Sequence, residues 1–188
     1  MTSSDQACPG ESTGALCLTL QQYVNGIYSS NSSNLELLPG THFLSASISV
    51  SDSNYFGMNG ANATVFCNKT SAFNVHHVLY FHLSGINFTN CVEVHFYYVR
   101  TLVIENSSIL NQYLWKLYVI ANVTIASTSF SNGENLQVEG SSLLVKQSTL
   151  TNAISFSCQG AASHSNITVK HSIFSWCQGM VISSGYSN

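Results

Sequence analysis

Apolar and polar residues alternate through Phe81–Cys91 (FHLSGINFTNC). Phe81 and Leu83 fall on one side of an extended strand, His82 and Ser84 on the other. Gly85 marks a turn, and a second short run carries Phe88 and ends at Asn90. The pattern then returns down the chain. Leu102-Val103-Ile104 leads to Ile109 and Asn111, Val123-Thr124-Ile125 to Phe130 and Asn132, and Leu143-Leu144-Val145 to Leu150 and Asn152. Ile167-Thr168-Val169 leads to Phe174, with Trp176 in place of the asparagine. Upstream, Phe56-Gly57-Met58 and Leu35-Glu36-Leu37 supply the same apolar start. Anchored on the second apolar residue, the series is Leu37, Met58, Leu83, Ile104, Ile125, Val145 and Val169, at intervals of 21, 25, 21, 21, 20 and 24 residues. A period in this range marks a solenoid, whose turns cannot bury their apolar sides alone and stack on one another.

Leucine-rich repeats share this period but place Asn or Cys three residues beyond the strand anchor and return through a helix. Here that position is Ser107, Thr128, Ser148 or Ser172. The return segments Val94–Phe96, Leu117–Val119, Leu136–Val138 and Ile154–Phe156 alternate like strands. The expected fold is therefore all-β, a parallel β-helix of about seven coils, right-handed by the general preference for right-handed parallel crossovers.

The strand, the tight turn and the recurring asparagine resemble the right-handed β-helix, or pectin-lyase-like, superfamily over roughly residues 17–182. The resemblance implies an internal asparagine ladder of Asn90, Asn111, Asn132 and Asn152. The runs Cys17–Val24 and Leu35–Leu44 also resemble the opening of β-helix domains in large extracellular surface proteins of invertebrates. This fold hosts unrelated activities, so the resemblance bears on architecture more than on function.

Residues 1–16 read as a lead-in and 17–188 as the β-helix domain, truncated at its C-terminus. Thr19 is the expected N-cap of a short helix with Leu20, Tyr23, Val24 and Ile27 on one side, suited to covering the open end of the solenoid.

Charged residues make up only 7% of the chain, and Asn, Ser and Thr together supply roughly a third. Five Lys and Arg at a net charge of −3 form no basic patch for nucleic acid or anionic lipid. No apolar run approaches membrane-spanning length, and Met1–Gly14 lacks the apolar core of a signal peptide. Six cysteines and seven N-x-S/T sequons nevertheless point to export, to the extracellular space or a cell surface, as a fragment of a longer protein. The sequons are Asn31, Asn62, Asn68, Asn87, Asn106, Asn122 and Asn166. Asn122 and Asn166 each stand one residue ahead of a first strand, on its outward parity, and are the expected glycan carriers. Cys67 and Cys91 lie nine and eight residues beyond their anchors, so the coil stacking predicts a disulfide between them. Cys8 and Cys17 pair by proximity, while Cys158 and Cys177 occupy different coil phases and make a weaker pair.

Chemistry is sparse. Glycan lyases and hydrolases need clustered carboxylates. Here Glu36, Glu93, Glu105, Glu134 and Glu139 read as falling at different coil phases. The outward column after the first strand is Ser84, Glu105, Ala126, Lys146 and Lys170, a solvated face. His82 and His95 share a coil preceded by His76-His77, without the paired spacing of a zinc site. The Tyr- and Trp-rich region Tyr97–Tyr118 reads as core and return-strand packing ahead of an aromatic sugar platform. No catalytic residue, metal ligand or cofactor site is assigned. The expected role is a non-catalytic structural or recognition module whose partners are glycans or other surface proteins. The alternative is a carbohydrate-active β-helix enzyme or an inactive relative of one.

Overall fold

The computed structural model describes residues 32–44, 47–67, 72–110, 114–131, 135–139, 142–151, 155–160, 166–175 and 180–184. Every regular element among them is a strand, and every pairing between strands is parallel. The chain is thus an all-β parallel solenoid of about five turns. The expectation of about seven coils is higher than this count. The expected capping helix, together with Cys8, Cys17 and Asn31, lies outside the described residues.

Three ladders run the length of the stack. In the first, Met58, Leu83, Ile104, Ile125, Val145 and Val169 align rung by rung, as the periodicity predicts. The first rung departs from that reading. Leu35, not Leu37, pairs with Met58, and Leu37 donates its N–H to the Asn59 carbonyl at 2.7 Å, already at the turn. The second ladder aligns Val65, Phe88, Ile109, Phe130, Leu150 and Phe174. The third aligns Ile48, Phe73, Val94, Trp115, Leu136 and Phe156, two residues ahead of a column that runs from Val50 through Val75, Phe96 and Leu117 to Val138 and Cys158. Of the four expected return segments, Val94–Phe96, Leu117–Val119 and Leu136–Val138 fall on strands, and the fourth begins at Ile154, outside the described residues.

Alternation directs one side chain in two inward, and the three ladders meet over a phenylalanine cluster. Phe81 lies 5.6 Å from Phe56, 6.3 Å from Phe73 and 5.0 Å from Phe96 between ring centroids, and Phe73 lies 5.8 Å from Phe88. All five are fully buried. Burial of each such side chain stabilises the fold by about 1.5–3 kcal/mol, which a chain this poor in charge needs to hold its coils together.

Between the first and second ladders the chain turns in a single residue of positive φ: Gly85, Asn106, Ser127, Gln147 and His171. Only the first of these is glycine, because a Cβ there would lie 2.9 Å from the Gly60 carbonyl oxygen. Next in sequence stand Ser107, Thr128, Ser148 and Ser172. Each hydroxyl donates to the carbonyl two residues back, those of Glu105, Ala126, Lys146 and Lys170, at 2.8–2.9 Å. The hydroxyls of Ser107, Ser148 and Ser172 also accept the N–H of Ile86, Thr128 and Ser148, one rung earlier, at 3.2–3.3 Å. A column of hydroxyls thereby satisfies backbone donors that a sharp turn would leave buried and unpaired. Of the expected asparagine ladder only Asn90 lies among the described residues. It takes φ 58° at the end of its strand.

Candidate functional site: a histidine and tyrosine corner

The turn from the third ladder back to the first repeats a second geometry over three consecutive rungs. Asp52, His77 and Tyr98 occupy it with φ 55°, 53° and 54°. The Asp52 N–H bonds to the His76 carbonyl and the His77 N–H to that of Tyr97, which holds the rungs in step. The following residues, Ser53, Val78 and Val99, point inward and are buried. Everything on either side of them therefore points out.

Four outward columns result. Ser51, His76 and Tyr97 form the first, in strand register, and Asp52, His77 and Tyr98 the second. Asn54, Leu79 and Arg100 form the third, and Tyr55, Tyr80 and Thr101 the fourth. Rings stack along them: His76 on Tyr97 at 5.6 Å and 10°, His77 on Tyr98 at 5.2 Å and 4°, and Tyr55 on Tyr80 at 5.5 Å and 9°. Tyr98 is 62% exposed and Leu79 50%. The reading of Tyr97–Tyr118 as core packing fails for Tyr98, because the left-handed turn puts its side chain outside while its neighbour Val99 fills the interior.

Three histidines of this flank each approach a carboxylate. His77 Nδ1 lies 3.8 Å from Asp52 Oδ1, His82 Nε2 3.0 Å from Glu105 Oε1, and His95 Nε2 3.6 Å from Glu93 Oε2. His82–Glu105 is a hydrogen bond, half-buried, on the outward side of the first ladder. At its greater distance His95 Nε2 gains no hydrogen bond, although the atom is buried. Burial pushes the His95 pKa below 6.5; nearby Glu93 raises it, and Lys116 and His76 lower it further. Among the described residues no group of His, Cys, Asp and Glu is placed to hold a metal ion.

The glutamates are less scattered than their spacing suggested. With Leu35 at the anchor position, Glu36 shares a column with Asn59, Ser84 and Glu105, so Glu36 and Glu105 lie three rungs apart at one phase. That correction follows from the first-rung slip. Three rungs come to about 14 Å, so the two carboxylates do not act on one bond. The column continues in register to Ala126, Lys146 and Lys170 as expected, but it is not a solvated face throughout: Ala126 is buried and Glu105 turns sideways to His82. Glu139 aligns with Tyr118 and Tyr97 on the third ladder, and Glu134 lies outside the described residues.

Cys67 and Cys91 are joined, with Cα atoms 4.5 Å apart and both side chains fully buried. Cys158 is in backbone register with Val138 and Ile182, and Cys177 lies outside the described residues. Asn122 and Asn166 fall in one column, with Ser142 between them. Asn122 is exposed, and so are Asn62 and Asn106, both at positive φ. Asn87 is half-buried and lines a shallow polar groove with Asn106, Ser108, Ser129, Gln147 and Thr149. Asn68, Asn111, Asn132 and Asn152 lie outside the described residues.

The corner was missed in the sequence, although a signal was present. Asp52, His77 and Tyr98 are separated by 25 and 21 residues, the same intervals as the anchors Met58, Leu83 and Ile104. A buried disulfide indicates an oxidising environment, and among the described residues no helix is long and apolar enough to cross a membrane. Comparison with protein-family models, curated proteins and solved structures returns no match.

Proposed function

We propose that this chain is a non-catalytic structural and recognition module of an extracellular or cell-surface protein, a β-helix of the pectin-lyase-like kind. Its binding surface is the corner 51–55, 76–80 and 97–101. The carrying observation is compositional contrast at one place. A surface built of Ser, Thr and Asn collects stacked His and Tyr rings, an exposed leucine and the only arginine within three adjacent rungs. Rigid tyrosines and arginine are the residues that supply contact energy in recognition surfaces. Their stacking on neighbouring rungs fixes the rotamers before a partner arrives, which lowers the entropic cost of binding.

The test is binding of the secreted, tagged chain to intact cells, compared with a variant carrying Leu79→Ser, Tyr80→Ser and Arg100→Gln. Loss of cell-surface binding in the variant supports the assignment; equal binding by both proteins overturns the corner.

One observation favours the second reading, a carbohydrate-active enzyme. The half-buried His82–Glu105 pair has the geometry of a histidine oriented by a carboxylate. Turnover of any member of a polysaccharide panel, abolished by His82→Gln, would establish that reading in place of the first.

A further inference from the structure

Stacked columns present ring edges to solvent, because each ring's faces are covered by the rungs above and below. A ligand that packs on an aromatic face finds one only where a column stops. The column through His77 stops at Tyr98. The left-handed turn that projects this ring is not repeated on the next rung, where Leu114–Ala126 runs through as continuous strand with no positive-φ residue. The backbone register slips at the same place, between Tyr97 and Val99 and again between Val99 and Thr101. Tyr98 therefore has His77 flat against one face at 5.2 Å and 4°, and remains 62% exposed.

Resting on the recognition role proposed above, the geometry points to the open face of Tyr98 as a subsite for a neutral pyranose ring of a glycan. One face of a pyranose carries several C–H bonds whose hydrogens are weakly positive, and the face of an aromatic ring is weakly negative. A sugar laid on Tyr98 continues the column one rung further on, at a step of about 5 Å. Its equatorial hydroxyls then need donors and acceptors at the rim. Arg100, two residues along and exposed, pairs with no carboxylate among the described residues and is available as a donor. The ligand is neutral rather than acidic because cations are not in excess on this flank: Arg100 and Lys116 stand against Asp52, Glu93 and Glu105, a formal charge of −1 with the histidines neutral.

The site is tested by titrating the whole chain, with its tyrosines isotope-labelled, with neutral methyl pyranosides and short neutral β-linked oligosaccharides, reading the Tyr98 ring signals by NMR. An open-chain alditol, which has the hydroxyls but no ring face, is the control ligand. The informative variant is Tyr98→Asn, which removes the ring while placing at positive φ a residue that tolerates it. Tyr98→Phe keeps the face.

The expected result is a saturable shift at Tyr98 with at least one saccharide and none with the alditol. Affinity falls at least tenfold in Tyr98→Asn and stays within about threefold in Tyr98→Phe. The subsite is overturned by saccharide affinity equal in wild type and Tyr98→Asn, by an equal response to the alditol, or by no shift at Tyr98 with any ligand up to solubility. A chain that binds cells through the corner and yet gives no saccharide shift keeps the recognition role and loses only this ligand.

Discussion

Cys67 and Cys91 face each other across adjacent rungs with Cα atoms 4.5 Å apart, although strand register pairs Phe66 with Thr89, one residue short of Cys91's alignment. Asn90 absorbs the extra residue. Its φ of 58° turns the chain inward after Thr89, so that Cys91 enters the core as Cys67 does directly from its strand. The bridge spans 24 residues of sequence. By the loop-closure argument its removal costs about 3 kcal/mol. The double variant Cys67→Ala, Cys91→Ala should lose this amount in urea unfolding while retaining the β-sheet circular dichroism of the parent. A change under about 1 kcal/mol would show that the unfolded chain gains little freedom when the bridge is cut.

The anchors from Met58 to Val145 were legible because each coil buries the same two inward positions, and any departure would bury a polar residue; Val169 keeps the register but is 42% exposed. The first coil was misread for a local reason. Leu37 is apolar and buried like an anchor, yet it packs over Gly60, whose added Cβ would lie 3.1 Å from the Leu37 Cβ. The hydroxyls of Ser107, Thr128, Ser148 and Ser172 were visible as a repeat, but their use was not. It depends on a turn whose orphaned N–H groups appear only once the coils are stacked. The His–Tyr corner needed still more. Its residues lie where strands meet at a corner and point outward, where periodicity carries no burial signal, and their contacts cross between rungs 21 to 25 residues apart in sequence.

Ser148 tests the hydroxyl column directly. It is 2% exposed, donates to the Lys146 carbonyl and accepts from the Thr128 N–H. Ser148→Ala leaves that N–H buried without a partner, at a cost of about 1–3 kcal/mol. Ser172→Ala, at the half-exposed end of the column, should cost less, since water reaches the site. Equal and small effects at both positions, measured by chemical denaturation, would mean that the backbone satisfies itself without the hydroxyls.

Glycan occupancy follows exposure. In protein secreted from eukaryotic cells, Asn122 should carry glycan, and so should Asn62 and Asn106, whose side chains are exposed at their turns. Asn87 should be occupied least of these four, being half-buried in the polar groove. Peptide mapping with enzymatic deglycosylation reads each site. A fully occupied Asn87 beside a bare Asn106 would contradict the placement of the groove.

The last prediction concerns acid. His95 packs edge-on to Tyr97 at 5.2 Å, with Asn74 and Lys116 in register on the rungs to either side and Glu93 and His76 nearby. Burial is the largest influence on its ring and holds the folded-state pKa below 6.5; Lys116 and His76 act in the same direction, and Glu93 opposes them. The unfolded chain therefore takes up this proton at higher pH than the folded chain does. The contribution of His95 to stability is complete above about 6.5 and is lost as pH falls below that value towards the folded pKa. Urea midpoints taken from pH 7.5 to pH 5 should fall for the native chain and fall less for His95→Phe. That variant also removes a ring nitrogen buried without a hydrogen bond, so its midpoint at pH 7.5 should not drop. Glu93→Gln should steepen the acid loss, because it takes away the one neighbour that favours the charged ring. Parallel pH profiles for the native chain and His95→Phe would show that this histidine titrates alike folded and unfolded, and that other groups set the acid limit of the fold.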